Sequence, residues 1–153
     1  MGGMIGITVT AKGLNKYIYS NNPISKRTKQ LVNMLPIELA ELLVKTLQES
    51  ASNYSDTGRL EHSIFAQDIG NKQAVVTIPV EYASALDKGS KAHFITGNPM
   101  LKFYWAKERR WAETHVVWHP GTEATYFVSE GIRNFRSDKD RIIKLSVKKT
   151  INI

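Results

Sequence analysis

From Ser25 onward leucines recur at four-residue steps, Leu31, Leu35, Leu39, Leu43 and Leu47, the stripe of a long helix that turns one side to a core. Pro36 lies inside the stripe without an amide hydrogen, which predicts a kink or break near Met34 and Leu35. The helix should stop by Ser52 or Asn53, where Ser, Asn, Asp, Thr and Gly accumulate. Ahead of it, Ile5, Ile7 and Val9 alternate with Gly6, Thr8 and Thr10 as in a half-buried strand, and Lys12 to Tyr19 suits a short helix. From Ser63 the pattern turns to β: Ile64-Phe65-Ala66 and Ala74 to Ile78 flank the turn Gly70-Asn71-Lys72 and should pair. Tyr82 to Lys88 reads as one or two helical turns ended by Gly89. Phe94-Ile95 and Leu101 to Trp105 flank a second turn cluster, Gly97-Asn98-Pro99. Trp111 to Trp118 alternates with Thr114, Val116 and Trp118 on one face. A last helix is expected over Ala124 to Thr150, with Val128, Ile132, Phe135 and Ile142 on an apolar face that packs on the sheet.

Helices therefore bracket strands instead of alternating with them. That order predicts an α+β fold, an antiparallel β-sheet packed against a long helix in the N-terminal half and a long C-terminal helix. At 153 residues, with no repeat and no shift in composition, the chain reads as a single domain over 1–153 with its core at about 5–147.

Composition narrows the chemistry. The absence of cysteine excludes disulfides, thiolate metal sites and cysteine nucleophiles. No apolar run approaches the roughly 18 to 20 residues of a membrane span, and Met1-Gly-Gly-Met-Ile-Gly-Ile lacks the features of a signal peptide, so no membrane association is expected and synthesis should be cytoplasmic. The net charge of +7 is concentrated near the C-terminus, where Arg133, Arg136, Lys139, Arg141, Lys144, Lys148 and Lys149 face only Asp138 and Asp140. This basic end suits a solvated helix face, an acidic partner or a nucleic-acid backbone.

No catalytic, cofactor or metal constellation stands out. His115, His119 and Glu123 have helical ligand spacing, but Pro120-Gly121 cannot sit in mid-helix, and residues four apart on a strand are roughly 13 Å apart. Asp56-Thr57-Gly58 occurs once, where proton-sharing carboxylate chemistry needs two, and reads as a tight turn with Gly58 at positive φ. Phosphate loops and serine elbows are absent. Lys102 to Trp111 interleaves cations with aromatics as single-strand nucleic-acid platforms do, while strand alternation would put Leu101, Phe103 and Trp105 together on a core face.

Taken in order, several short motifs form a series. They are Thr57-Gly58-Arg59-Leu60 with Ser63-Ile64, Tyr82-Ala83 followed by Asp87-Lys88-Gly89-Ser90, then His93, and His119-Pro120-Gly121-Thr122 ahead of Ala124 and Phe127. The series resembles the tail-component family of long-tailed bacteriophages, the small proteins of the head-to-tail joint also called neck or tail-completion proteins, over roughly Leu31 to Arg136. Asp87 stands where the family more usually has glutamate, Ser90 where it has threonine, and Tyr126 where proline often precedes the phenylalanine. In that family the TGxL turn opens the first hairpin and the HPGT turn launches the final helix. The residues alone suggest that Thr122 caps that helix through its hydroxyl and that Tyr82-Ala83 anchors the short helix by packing.

The resemblance implies a structural virion protein without enzymatic activity or cofactor. It would form a homo-oligomeric ring between a head-closure or connector protein and a tail terminator or tail tube protein, with DNA passing through the lumen unread. Within that expectation Arg133, Arg136, Arg141 and Lys144 dock onto acidic groups of an adjoining ring, because a lumen lined densely with cations would grip sliding DNA. The alternative is a small basic nucleic-acid-binding protein that uses the C-terminal cations and the Tyr104 to Trp111 segment.

Overall fold

A computed structural model describes residues 4–10, 23–105 and 108–151. The short helix expected over Lys12 to Tyr19 lies outside the described residues. In chain order the elements are β1 (Ile5–Thr10), α1 (Pro23–Ser52), α2 (Arg59–Ser63), β2 (Phe65–Gly70), β3 (Gln73–Ile78), α3 (Ala83–Lys88), β4 (His93–Trp105), β5 (Arg110–His119) and α4 (Phe127–Ile151). The fold is α+β, with antiparallel strand pairing throughout the named strands.

β3 is the middle of a three-stranded sheet in the order β1-β3-β2. Asn71 and Lys72, at φ of 51° and 59°, form the two-residue turn that twists β2 back onto β3. Ala74, Val76 and Ile78 alternate along β3 and are all buried, facing α1, while Gln73, Val75 and Thr77 keep partial exposure on the opposite face. Among the described residues the core covers one side of this sheet.

α1 occupies the centre. Its leucine stripe is buried from Leu31 to Leu47, and Val32, Pro36, Ala40 and Ala51 widen the buried arc because the sheet and α4 cover it from different sides. Of the kink or break expected at Pro36 the break does not occur: the helix runs on through it, and Pro36 is itself fully buried, so its packing offsets the one amide bond it cannot make. α4 reaches the core through α1. Val128, Ile132 and Phe135 pack against the shared cluster, and the helix pair is tied at both ends. At one end Ser50 Oγ lies 2.9 Å from both the Phe127 carbonyl and a Glu130 carboxylate oxygen, which share its single hydrogen. At the other, Ser146 donates to the Glu38 carboxylate.

The expected continuous sheet through the middle third divides in two. β4 and β5 pair with each other as a separate two-stranded sheet and make few contacts with any other element. Leu101, Phe103 and Trp105, expected as core, lie on this hairpin at half-buried or exposed positions. Gly97-Asn98-Pro99 is no chain reversal: it bulges out of β4 between the pairs Thr96–Val116 and Leu101–Thr114. A bulge is the place within a strand that tolerates proline, and His115 Nδ1–H secures it by donating to the Pro99 carbonyl at 2.7 Å. The alternation slips here too. The half-buried positions on β5 run Ala112, Thr114, then Val117 and His119, so Thr114 does not share a face with Val116 and Trp118.

α1 and α4 pack closely at Gly131, where an added Cβ would lie 2.7 Å from Leu47 Cδ2 and 3.0 Å from Leu47 Cα. Gly131→Val should therefore lower the unfolding free energy by about 3 kcal/mol through overpacking. Chemical denaturation reads this directly, and an unchanged midpoint would show that the helix pair yields at this crossing.

Candidate interaction site

Three groups of residues singled out in the sequence occupy different places. Thr57, Gly58 and Leu60 build the entry to α2. Gly58 adopts φ 76° at the N-cap, Leu60 is fully buried in the core, and Thr57 stays exposed. The turn opens a short helix, with the hairpin beginning only after it. Its carbonyl at Gly58 accepts from the His62 amide at 3.1 Å and from His62 Nδ1–H at 2.6 Å. The Ser55 hydroxyl, and after it the backbone amide of Glu61, hold the Glu61 carboxyl below its ordinary value. The sign follows: this contribution is present above the ordinary carboxylate pKa and is lost as pH falls through the lowered one.

The second group converges on one junction. Tyr82, Ala83, Asp87 and Gly89 come from α3 and its ends, and His119, Pro120, Gly121, Thr122 and Phe127 from the connection between β5 and α4. Ser90 and Thr122 exchange two backbone hydrogen bonds, of 2.9 and 3.1 Å, which close the base of the β4–β5 hairpin. The chain comes so close that a Cβ on Gly121, at φ 92°, would collide with the Ser90 carbonyl, and one on Gly89, at φ 77°, would sit 2.8 Å from the Thr122 carbonyl. Next, the Thr125 amide donates to the Leu86 carbonyl at 3.1 Å and the Tyr126 amide to the Asp87 carbonyl at 2.9 Å.

Asp87 completes the junction. Its buried carboxylate accepts from the Val128 amide at 3.0 Å, so a side chain from α3 caps the first turn of α4. This corrects the cap expected from Thr122, whose backbone is committed to Ser90 several residues before α4 begins. It also corrects the reading of Tyr82 as a packing anchor. Ala83 is fully buried, Phe127 likewise, but Tyr82 is exposed at the rim of a groove of about 640 Å³ whose walls include Lys88, His93, His119 and Thr122. Tyr126 sits at φ 54°, which a proline ring locked near −65° could not adopt.

The groove's two imidazoles bond to backbone nearby. His119 Nδ1 accepts from the Gly121 amide at 3.1 Å, His93 Nδ1–H donates to the Lys91 carbonyl at 2.8 Å, and the two rings pair across the strands with centroids 5.2 Å apart. Among the described residues no group of three ligating side chains could hold a metal.

The third group is the basic face of α4. Arg133, Arg136, Arg141 and Lys144 are all exposed and, at 100° per residue, fall with Lys148 within roughly 140° of the helix circumference around Asp140. Arg133 makes only a loose approach to Glu130, 3.9 Å, and the stripe is turned away from α1.

Sequence reasoning missed the arm that the junction mounts. β4 and β5 expose Phe94, Tyr104, Trp105, Trp111 and Trp118, and the only signal in the sequence was the density of aromatics between residues 94 and 118. No family model, curated protein or solved structure matches the chain.

Asp87→Ala should cost about 1–2 kcal/mol, the usual loss for a helix cap, and Asp87→Asn, which keeps an acceptor oxygen, clearly less. Equilibrium denaturation monitored by helical circular dichroism separates the two; equal losses would mean that charge, and not the hydrogen bond, carries the cap.

Proposed function

We infer that the chain is a structural protein of the phage head-to-tail joint, a neck or tail-completion protein that forms a ring between the head connector and the tail tube with DNA passing through its lumen. The observation that carries this reading is the motif series. Its second half, from Tyr82 to Phe127, builds one junction from which an exposed aromatic arm extends and a helix with an exposed basic face begins. Both are assembly features, and the reading assigns them no catalysis and no cofactor. A monomer rarely leaves so much aromatic surface in water without a partner. A closed ring uses two different patches of each subunit, so a surface apart from the core is what such a subunit requires.

The four cations Arg133, Arg136, Arg141 and Lys144 fit the docking of one ring on the next. Exposed charges act over about a Debye length of 8–10 Å and set orientation and register more than affinity.

The second reading is a small basic nucleic-acid-binding protein, favoured by the same α4 stripe and by the cations among the aromatics of the arm. Two of those cations are already paired: Lys102 Nζ lies 2.7 Å from Glu113, and Arg110 Nε lies 2.6 Å from Glu108. That leaves the arm poorly charged for a phosphate backbone, and we place it second. Titration with single- and double-stranded DNA at low and high salt separates the readings, since tight, strongly salt-dependent binding by the monomer would favour the second.

Reversing Arg136, Arg141 and Lys144 together to Glu should leave the thermal melt of the subunit nearly unchanged, because all three are exposed. In phage production the same variant should give tailless heads and free tails by electron microscopy. Unimpaired joining would remove the docking role.

A further inference from the structure

The β4–β5 arm is the least explained surface of the molecule. A lone two-stranded hairpin is marginal in water, yet this one is long, makes few contacts with the other described elements and carries aromatic side chains. Ile95, Leu101, Phe103 and Val117 line a shallow groove of about 250 Å³ on one face. Their strand neighbours Phe94, Trp118, Tyr104 and Trp111 therefore lie on the other. There they form two edge-on pairs, Phe94–Trp118 at 4.7 Å and Tyr104–Trp111 at 5.9 Å between centroids. Their exposures are 66%, 54%, 53% and 73% respectively. At roughly 200 Å² per aromatic side chain that face leaves about 500 Å² in water. This reaches the size of the largest patches on stable monomers and more than half of the roughly 800 Å² that each partner contributes to a standard interface.

A matching surface exists on the same chain. β2 is an edge strand, unpaired on its outer side among the described residues, and it exposes Phe65 and Ile69. Phe65 pairs with Thr77 on the open side of the three-stranded sheet, opposite the core face of Ala74, Val76 and Ile78.

We propose that the β4–β5 arm of one copy docks on β2 and the open sheet face of a second copy of this chain, its aromatic face covering Phe65. The contact is heterologous, arm to sheet, so each copy gives an arm and receives one, and repetition closes a ring. The proposal rests on the ring reading above and names its subunit contact. It requires no contribution from the basic face of α4.

The test uses the full chain in two variants, Trp111→Ser with Trp118→Ser in the arm, and Phe65→Ser with Ile69→Ser in β2. Mass is followed by light scattering on size-exclusion chromatography, with a thermal melt as the folding control. The wild type should run as an oligomer, and each variant alone as a folded monomer or with assembly shifted to roughly tenfold or higher concentration. Mixing the two variants leaves one intact arm and one intact β2 surface, so the mixture should form a two-subunit species and nothing larger. An oligomer that survives the arm variant, or one that the arm variant breaks and the β2 variant does not, overturns the proposal while leaving the ring to another interface. A wild type that stays monomeric at its highest soluble concentration also overturns it, and loss of DNA binding on removing the tryptophans would then assign the arm to nucleic acid. The ring reading itself falls or stands separately, on the joining of heads and tails.

Discussion

The arrangement of this molecule depends on a closure made at short range between residues distant in sequence. Ser90 and Thr122 meet by two backbone hydrogen bonds, and Asp87 reaches the Val128 amide immediately behind them. Everything between residues 90 and 122 is thereby held as an excursion from a fixed base, and everything after 127 starts in a fixed direction along α1. The glycines at 89 and 121 are required because the backbones touch where a Cβ would stand. Closing a loop of this length costs entropy that grows only slowly with its size. A long arm is thus tolerated once the base is secured.

The body and the arm obey opposite rules. In the body, α1 is covered by the sheet and by α4, so burial is wide and continuous from Leu31 to Ala51, and Phe127 closes the core at the foot of α4. On the arm, side chains of the same chemical type stay in water, and the strands hold together through cross-strand pairs such as Phe94–Trp118 and the surface ion pair Lys102–Glu113. Such pairs contribute roughly 0.2–1 kcal/mol each. That suffices to shape a hairpin supported at its base, and is too little to explain the retention of three exposed tryptophans by folding alone.

This contrast explains what the sequence made legible. The leucine stripe, the Asn71-Lys72 turn, the Gly89 stop and the apolar face of α4 are local or periodic signals, and each appears in the structure close to where the pattern put it. Alternation at Leu101, Phe103 and Trp105 was equally visible, but a period of two reports the pleat of a strand and not which face meets a core. With no covering element, the same pattern that marks β3 as central marks β4 as an arm. The Asp87 cap was hidden for a different reason. Its partner is 41 residues away, and the nearest cap-type residue in the sequence, Thr122, is engaged through its backbone. Pro36 ends no helix because a proline's missing hydrogen bond is local, whereas the packing around it is tertiary.

The two exposed features differ in the range over which they can act. The cations of α4 lie on a rigid helix pinned along α1, and their field extends outward for about a Debye length and weakens with salt. The aromatics of the arm act only on contact, through area removed from water, and lose little when salt rises. In the proposed joint this gives a natural order of events. Apolar contacts between arm and sheet are suited to closing one ring from identical subunits, where each subunit brings the same net positive charge and long-range attraction between copies is weak. Charge on α4 is suited to meeting a different, acidic component, because it orients two bodies before they touch and penalises a basic or misregistered partner. On that reading one chain would separate self-assembly from partner choice, with apolar surface on the β4–β5 arm and charge on the outer face of a helix packed along α1.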